Sequence, residues 1–370
     1  MGRLKGLFCT FFQRIAIPEG RLTAESSTRK RQAFGFQQGR SGAIGLRGAA
    51  MRFRITNTAF FAPPTVETAE ELSVRVGRSA DWIRSRTGVQ RRHVSEEPMD
   101  VMGARVGLSA IGDGAKPDLV INASLTPRQL IPDSSVFVLR EMGLEGIPAF
   151  SVHATCLSYL VAMHVAGNFI ESGAYSRILI VSAEQGSVCR DFDEPESAVL
   201  IGDGSAATVI ERTPDGEASR LLGYKMTTWP DGAELAELRG CGTFRHPNHD
   251  HTVASDNLFH MSGPAIYRKA YRRVDVLVES LLEETGLTLD DIDWVIPHQA
   301  SGPALSALQR MGFDESRVVN IVAEYGNCIA ASIPMALAYA DAQGSLQRGQ
   351  VLLVLGTGAG LSVAGALLVW

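Results

Sequence analysis

Three side chains of chemically useful types stand far apart in the chain: Cys156, His298 and Asn327. A cysteine, a histidine and an asparagine can do two broad kinds of work together. In a peptidase the histidine deprotonates the cysteine and the asparagine orients the histidine. In acyl transfer between thioesters the cysteine takes the acyl group covalently, and the other two hold the carbonyl of a second substrate. Singly, each has a plainer reading. Cys156 fits a buried structural thiol, His298 a satisfied histidine at a strand end, and Asn327 a turn residue after Gly326.

The elements around them must decide. Phe150-Ser-Val-His-Ala-Thr leads into Cys156, and an apolar helix follows as far as Gly173. The cysteine is expected at the helix N-terminus, where free N–H groups and the helix dipole lower a thiol pKa. Strands are expected over 51–61, 117–123, 177–182 and 205–211, and helices over 68–76, 79–86 (capped by Ser79 or Asp81), 100–111 and 134–142. Such alternation gives a layered α/β fold.

The second half repeats the first. Asp293-Trp-Val-Ile-Pro-His298 echoes Asp118-Leu-Val-Ile-Asn-Ala123, 175 residues on. The element at Cys328 and its helix to Gly344 echo the Cys156 element at an offset of 172, and 351–355 echoes 178–182 at 173. Three similar offsets in order indicate a duplicated half. Packed about a pseudo-twofold axis, equivalent helix starts converge on one cleft, so Cys156 faces the loops of His298 and Asn327. This layout favours acyl transfer over papain-like hydrolysis. Between the halves, 212–260 reads as irregular. Its run His246-Pro-Asn-His-Asp-His251 has metal-ligand spacing, but a solvated loop is the preferred reading.

Composition sets bounds. The 370 residues are 45% hydrophobic and 20% charged, as in a soluble protein of two domains or two fused halves. The longest apolar stretches are broken by glycine and read as buried strands, so no membrane span is expected. Five cysteines (9, 156, 189, 241 and 328) without a CxxC pair argue against a disulfide framework or structural zinc, and a cytoplasmic setting is expected. Residues 1–50 hold nine basic and two acidic residues, leaving 51–370 with a net charge of −12. Such a body is not expected to bind nucleic acid. Residues 1–50 resemble a transit peptide in composition, but are read as an extension ahead of a natural start at Met51.

In order along 51–370, several motifs resemble the β-ketoacyl–acyl carrier protein synthase III family of the thiolase superfamily. They are Asp81-Trp-Ile-Arg-Ser-Arg-Thr-Gly-Val89, Cys156 after small residues, Gly202-Asp-Gly-Ser-Ala-Ala207, Met261-Ser-Gly-Pro-Ala-Ile-Tyr267, Pro297-His-Gln-Ala300, Gly326-Asn-Cys-Ile-Ala-Ala-Ser332 and the glycines from 356 to 365. The resemblance implies a five-layered αβαβα fold from two duplicated halves, 51–215 and 216–370, and a homodimer. Cys156 is similar to the family's acyl-accepting nucleophile, and His298 and Asn327 to the pair that holds the malonyl thioester carbonyl. Cys156 and Gly360 match the sources of the oxyanion-hole N–H groups. Trp82, Arg86 and Gly263 fall with the coenzyme A or substrate contacts, and Ile131 with the segment that shapes a partner's acyl pocket. The implied reaction is acylation of Cys156 by acyl-coenzyme A, then decarboxylative Claisen condensation with malonyl-acyl carrier protein, without metal or redox cofactor.

There are departures. Ser301 stands where the family usually has Asn, and Gly302-Pro303 where a basic residue commonly helps dock the carrier protein; Arg310 is the one basic residue left in the helix that follows. Ile131 replaces a common Phe. The changes at Ser301 to Pro303 leave open acyl transfer to an oxygen or nitrogen acceptor without decarboxylation; a separate alternative, a non-catalytic subunit of a heterodimer, is opposed by the intact Cys156, His298 and Asn327.

Overall fold

Strand β1 (Phe53–Phe61) opens a computed structural model that describes residues 50–370. The expected extension over 1–50 lies outside the described residues, apart from its last. After β1 come β2 (Thr65–Thr68), α1 (Ala69–Val76), α2 (Ala80–Thr87), β3 (Arg91–Val94), α3 (Met99–Ile111) and β4 (Leu119–Asn122). Then follow α4 (Ser134–Met142), β5 (Ala149–Ser151), α5 (Ser158–Glu171), β6 (Arg177–Glu184), α6 (Pro195–Ala198) and β7 (Gly204–Arg212). Ser79 caps α2, its hydroxyl accepting from the Trp82 N–H at 3.1 Å, as the sequence predicts. The first sheet has the order β1-β7-β6-β4-β5.

The second half begins with β8 (Arg220–Gly232), β9 (Ala236–Glu237) and β10 (His260–Met261). It continues through α7 (Gly263–Thr285), β11 (Trp294–Pro297), α8 (Gly302–Arg310), α9 (Val322–Tyr325), α10 (Ser332–Ala342), β12 (Val351–Gly358) and β13 (Gly360–Val369). The second sheet has the order β11-β12-β13-β8. The linking region is therefore not irregular throughout: β8 is a 13-residue strand within it. As an edge strand containing Pro230 and many exposed positions, it lacks the alternation that marks a half-buried strand.

The two sheets correspond. β4 runs parallel to β6 as β11 does to β12, and β6 is antiparallel to β7 as β12 is to β13. The outer strands β1 and β8 add antiparallel to β7 and β13. Helices α5 and α10 are apolar on nearly every side and share one core with strands of both sheets. On the far face of the first sheet lie α3 and α4, and on that of the second lie α7 and α8. The result is a five-layered αβαβα, thiolase-like fold.

The central helices start 174 residues apart, so the counterpart of Cys156 is Ala330, two residues beyond the Cys328 suggested by the sequence echo. A second correspondence supports this offset. Thr155 and Ile329, also 174 apart, are both non-glycine residues at left-handed φ, 53° and 50°. Such a conformation costs a β-branched residue roughly 1–3 kcal/mol. Here it turns the chain sharply into each central helix.

Candidate active site

Cys156 sits on the turn between β5 and α5, immediately after the strained Thr155. Its own N–H and that of Ala359 donate toward the sulfur, and both favour the thiolate. They do not win. Burial, helped by the nearby Glu184 carboxylate, pushes the thiol up to about 12. Cys156 is only half-buried, but its desolvation still opposes the anion more than two donors favour it, against the expectation of a lowered thiol pKa at a helix start.

His298 follows β11 and is 5% exposed. Its N–H donates to the Leu355 carbonyl at 2.8 Å, which continues the β11–β12 ladder and fixes the backbone. Burial depresses the imidazole to about 4, so the ring is neutral at pH 7. Its Nδ1 is buried and has no hydrogen-bond partner among the described residues. A Cβ built on Gly356 lies 2.9 Å from His298 Cβ and 3.1 Å from Leu157 Cδ2. Glycine there lets the end of β12 pass between the histidine and the cysteine turn.

Asn327 is held from both sides. Its N–H donates to the Leu200 carbonyl at 2.8 Å, and its own carbonyl accepts from Gly202 N–H at 3.1 Å. The side-chain Oδ1 accepts from Ile329 N–H at 2.8 Å, leaving Nδ2 as a donor toward the Ala300 carbonyl at 3.3 Å. Ala300 N–H in turn donates to the His298 carbonyl at 2.8 Å. Asn327 and His298 are thereby linked through one short segment, while Gly356 to Ala359 links His298 to Cys156.

A cavity of about 420 Å³ runs from the surface to His298, Gly356 and Thr357, between α7, α8 and α2. Tyr267, Tyr271, Leu305 and Met311 make its walls largely apolar, and Arg86, Glu196 and Arg268 are its charged lining residues. Of the expected contact residues, Arg86 and Gly263 line it. Trp82 instead packs beside Ala69, Leu72 and Val199, with Arg78 5.6 Å from its ring centroid. Ile131 is 85% exposed and lies away from this cavity. The N–H of this glycine-rich run that acts on the sulfur is that of Ala359, the residue before Gly360.

The departures at 301–303 have local causes. Ser301 caps α8, its hydroxyl accepting from Ala304 N–H at 3.3 Å. A Cβ on Gly302 would lie 2.9 Å from Gly88 Cα, so glycine is required where α8 starts against the end of α2. Pro303 takes a first-turn position, where its missing N–H costs nothing.

Residues 150–230 and 282–370 match the two models of 3-oxoacyl-[acyl-carrier-protein] synthase III, the second its C-terminal part. The β-ketoacyl-[acyl-carrier-protein] synthase III of Laribacter hongkongensis is 32% identical over 329 residues, covering 85% of this chain and 98% of that protein. The chain belongs to the β-ketoacyl-[acyl-carrier-protein] synthase III family. It is a synthase III-like condensing enzyme, in the acyltransferase class. The crystal structure of 3-oxoacyl-[acyl-carrier-protein] synthase III from Aquifex aeolicus aligns with a TM-score of 0.78 at 29% identity, over 86% of this chain and all of that one. OleA of Xanthomonas campestris, 21% identical, shares the fold with a TM-score of 0.77 over 87% of this chain and 99% of its own.

Sequence reasoning missed two groups that support the synthase III site. Glu184, at the end of β6, is fully buried and accepts from the N–H groups of Leu125, Thr126 and Ala330 and the Thr126 hydroxyl. Burial raises its carboxyl to about 7. The signal available was a carboxylate closing an apolar strand. Arg92, also fully buried, donates to the Ile201 carbonyl at 2.9 Å and pairs with Glu67. It braces the loop against which Asn327 hydrogen-bonds. Among the described residues no cluster of His, Cys, Asp or Glu could hold a metal ion, the His246–His251 run included, and no helix is long and apolar enough to cross a membrane.

Proposed function

We propose that an acyl-coenzyme A acylates Cys156 and that a malonyl thioester on acyl carrier protein then condenses with it. In the first step the Cys156 sulfur bonds to the acyl carbon, and coenzyme A leaves as its thiol with the proton that Cys156 gives up. The N–H groups of Cys156 and Ala359 take the oxyanion; their approach to the sulfur supports this in place of Gly360. In the second step His298 and Asn327 donate to the malonyl thioester oxygen while carbon dioxide departs. The enolate carbon attacks the acyl-Cys156 carbonyl, releasing the β-ketoacyl thioester and the Cys156 thiolate, which regains a proton.

The observation that carries this reading is the buried, neutral His298 at the end of an apolar-walled cavity, with the Asn327 amide tied to the same segment through Ala300. Neutral donors in a water-poor site stabilise a developing enolate without reorganising. No step calls for a metal or redox cofactor. Arg86 and Gly263 at the cavity support its use as the entry for the coenzyme A or carrier-protein arm; Trp82, on the same helix as Arg86, is kept as an outer contact.

We further take 51–215 and 216–370 as the two halves, and the working form as a cytoplasmic homodimer that binds neither membrane nor nucleic acid. Leu130 and Ile131, 68% and 85% exposed, support a partner subunit covering that loop and an acyl-pocket role for Ile131 there. The test is a mass-spectrometric product assay with acyl-coenzyme A donors of graded length and malonyl-acyl carrier protein. A β-ketoacyl product two carbons longer supports condensation. Acylated Cys156 with no elongation would move the assignment to transfer onto another acceptor.

A further inference from the structure

Arg86 reaches the cavity mouth already paired. Its Nε and Nη2 donate to one oxygen of Glu196, at 3.0 and 2.8 Å. The other oxygen, Oε2, lies 3.8 Å from the Cβ position of Gly263 on the first turn of α7. The carboxylate thus reaches across the mouth from α6, pairing with α2 and closing on α7. Neither side chain has another hydrogen-bond partner among the described residues, and both are partly exposed, at 46% and 36%. Glu194, two residues earlier, is committed to the Met261 N–H and the Ser197 hydroxyl. Glu196 is the one acidic side chain in the cavity lining, against Arg86 and Arg268.

A guanidinium fork is well suited to phosphate. A phosphate entering this mouth must displace Glu196 from Arg86 and then remain near its charge. The penalty grows with the number of phosphate charges on the entering molecule. We propose that Glu196 is a specificity-determining residue that biases the mouth against thioesters carried on a densely phosphorylated nucleotide and toward those on a weakly charged pantetheine arm. This inference rests on the acyl-coenzyme A reading above and adds a selectivity to it.

The test is the acylation rate of Cys156 in the full chain, with one acyl group delivered as its coenzyme A thioester and as its pantetheine thioester. An exposed ion pair has modest worth, so Glu196→Gln should raise the ratio of kcat/KM for the coenzyme A donor over the pantetheine donor by about two- to fivefold at low ionic strength. Added salt should erase the gain. Glu196→Asp, which keeps the charge at the mouth, should leave the ratio near that of the native protein. A ratio unmoved in Glu196→Gln, or moved equally in Glu196→Asp, would overturn the proposal while leaving the acyl-coenzyme A reading intact. Failure of the native protein to acylate with either donor would overturn that reading and this inference with it.

Discussion

The side-chain amide of Asn327 donates to the Ala300 carbonyl at 3.3 Å while its oxygen is occupied by the Ile329 N–H at 2.8 Å. The amide therefore has one orientation: Nδ2 is its donor and Oδ1 is spent on the start of α10. Asn327→Asp keeps the Oδ1 contact and replaces the donor by an acceptor facing a carbonyl. Loss of a donor to a developing oxyanion costs about 10²- to 10³-fold. Condensation should fall by about that factor while acyl-enzyme still forms, as read by product yield against the intact mass of the protein.

Cys156 should behave as a poorly acidic thiol despite its place at a helix start. With its pKa pushed up to about 12 by burial and by Glu184, alkylation by iodoacetamide should still be climbing above pH 9, without a plateau. A plateau near neutrality would mean that the two N–H donors outweigh burial. Glu184→Gln should shift the rising limb to lower pH, because it removes a negative charge that opposes the thiolate.

Much of this arrangement was legible in the sequence. The repeat offsets placed Cys156, His298 and Asn327 at corresponding ends of strands and helices, and the apolar runs at 177–182 and 351–355 marked the central strands. The balance of forces at the sulfur was not legible, because helix position is local information while the Ala359 N–H and the Glu184 charge that act on the thiol come from distant segments. Nor was the Ala359 N–H at the sulfur legible, since a glycine-rich run offers no side chain to fix its register. β8 was hidden by its exposed edge position. The contact between Gly302 and Gly88 explains a departure that looked functional from the sequence alone.

Two buried groups should tilt stability with pH in opposite senses. His298 is held near 4 against an ordinary 6.5. As pH falls from about 6.5 to 4 the unfolded chain takes a proton that the fold refuses, and stability is lost, by about 3 kcal/mol at most. Glu184 is raised from 4.5 to about 7. The fold keeps a proton that the unfolded chain releases, so its contribution is lost as pH rises over that window, again by about 3 kcal/mol at most. Urea unfolding from pH 4.5 to 7 checks both. The stability of Glu184→Gln relative to the native protein should grow with pH, and that of His298→Asn should grow as pH falls.

Gly356→Ala tests the packing that joins His298 to the turn carrying Cys156 and Leu157. The new methyl would lie 2.9 Å from His298 Cβ and 3.1 Å from Leu157 Cδ2. Overpacking of this kind costs about 1–3 kcal/mol. Thermal unfolding should register the loss, and condensation should fall further than the population of unfolded protein explains.

Single-turnover mass spectrometry on Cys156→Ala and Asn327→Ala, supplied with acyl-coenzyme A and then malonyl-acyl carrier protein, addresses the central assignment most directly. Cys156→Ala should show neither acyl-enzyme nor condensed product, and Asn327→Ala should accumulate acyl-enzyme and release no β-ketoacyl product. Acylation that survives in Cys156→Ala, or condensation at the native rate in Asn327→Ala, would contradict the account.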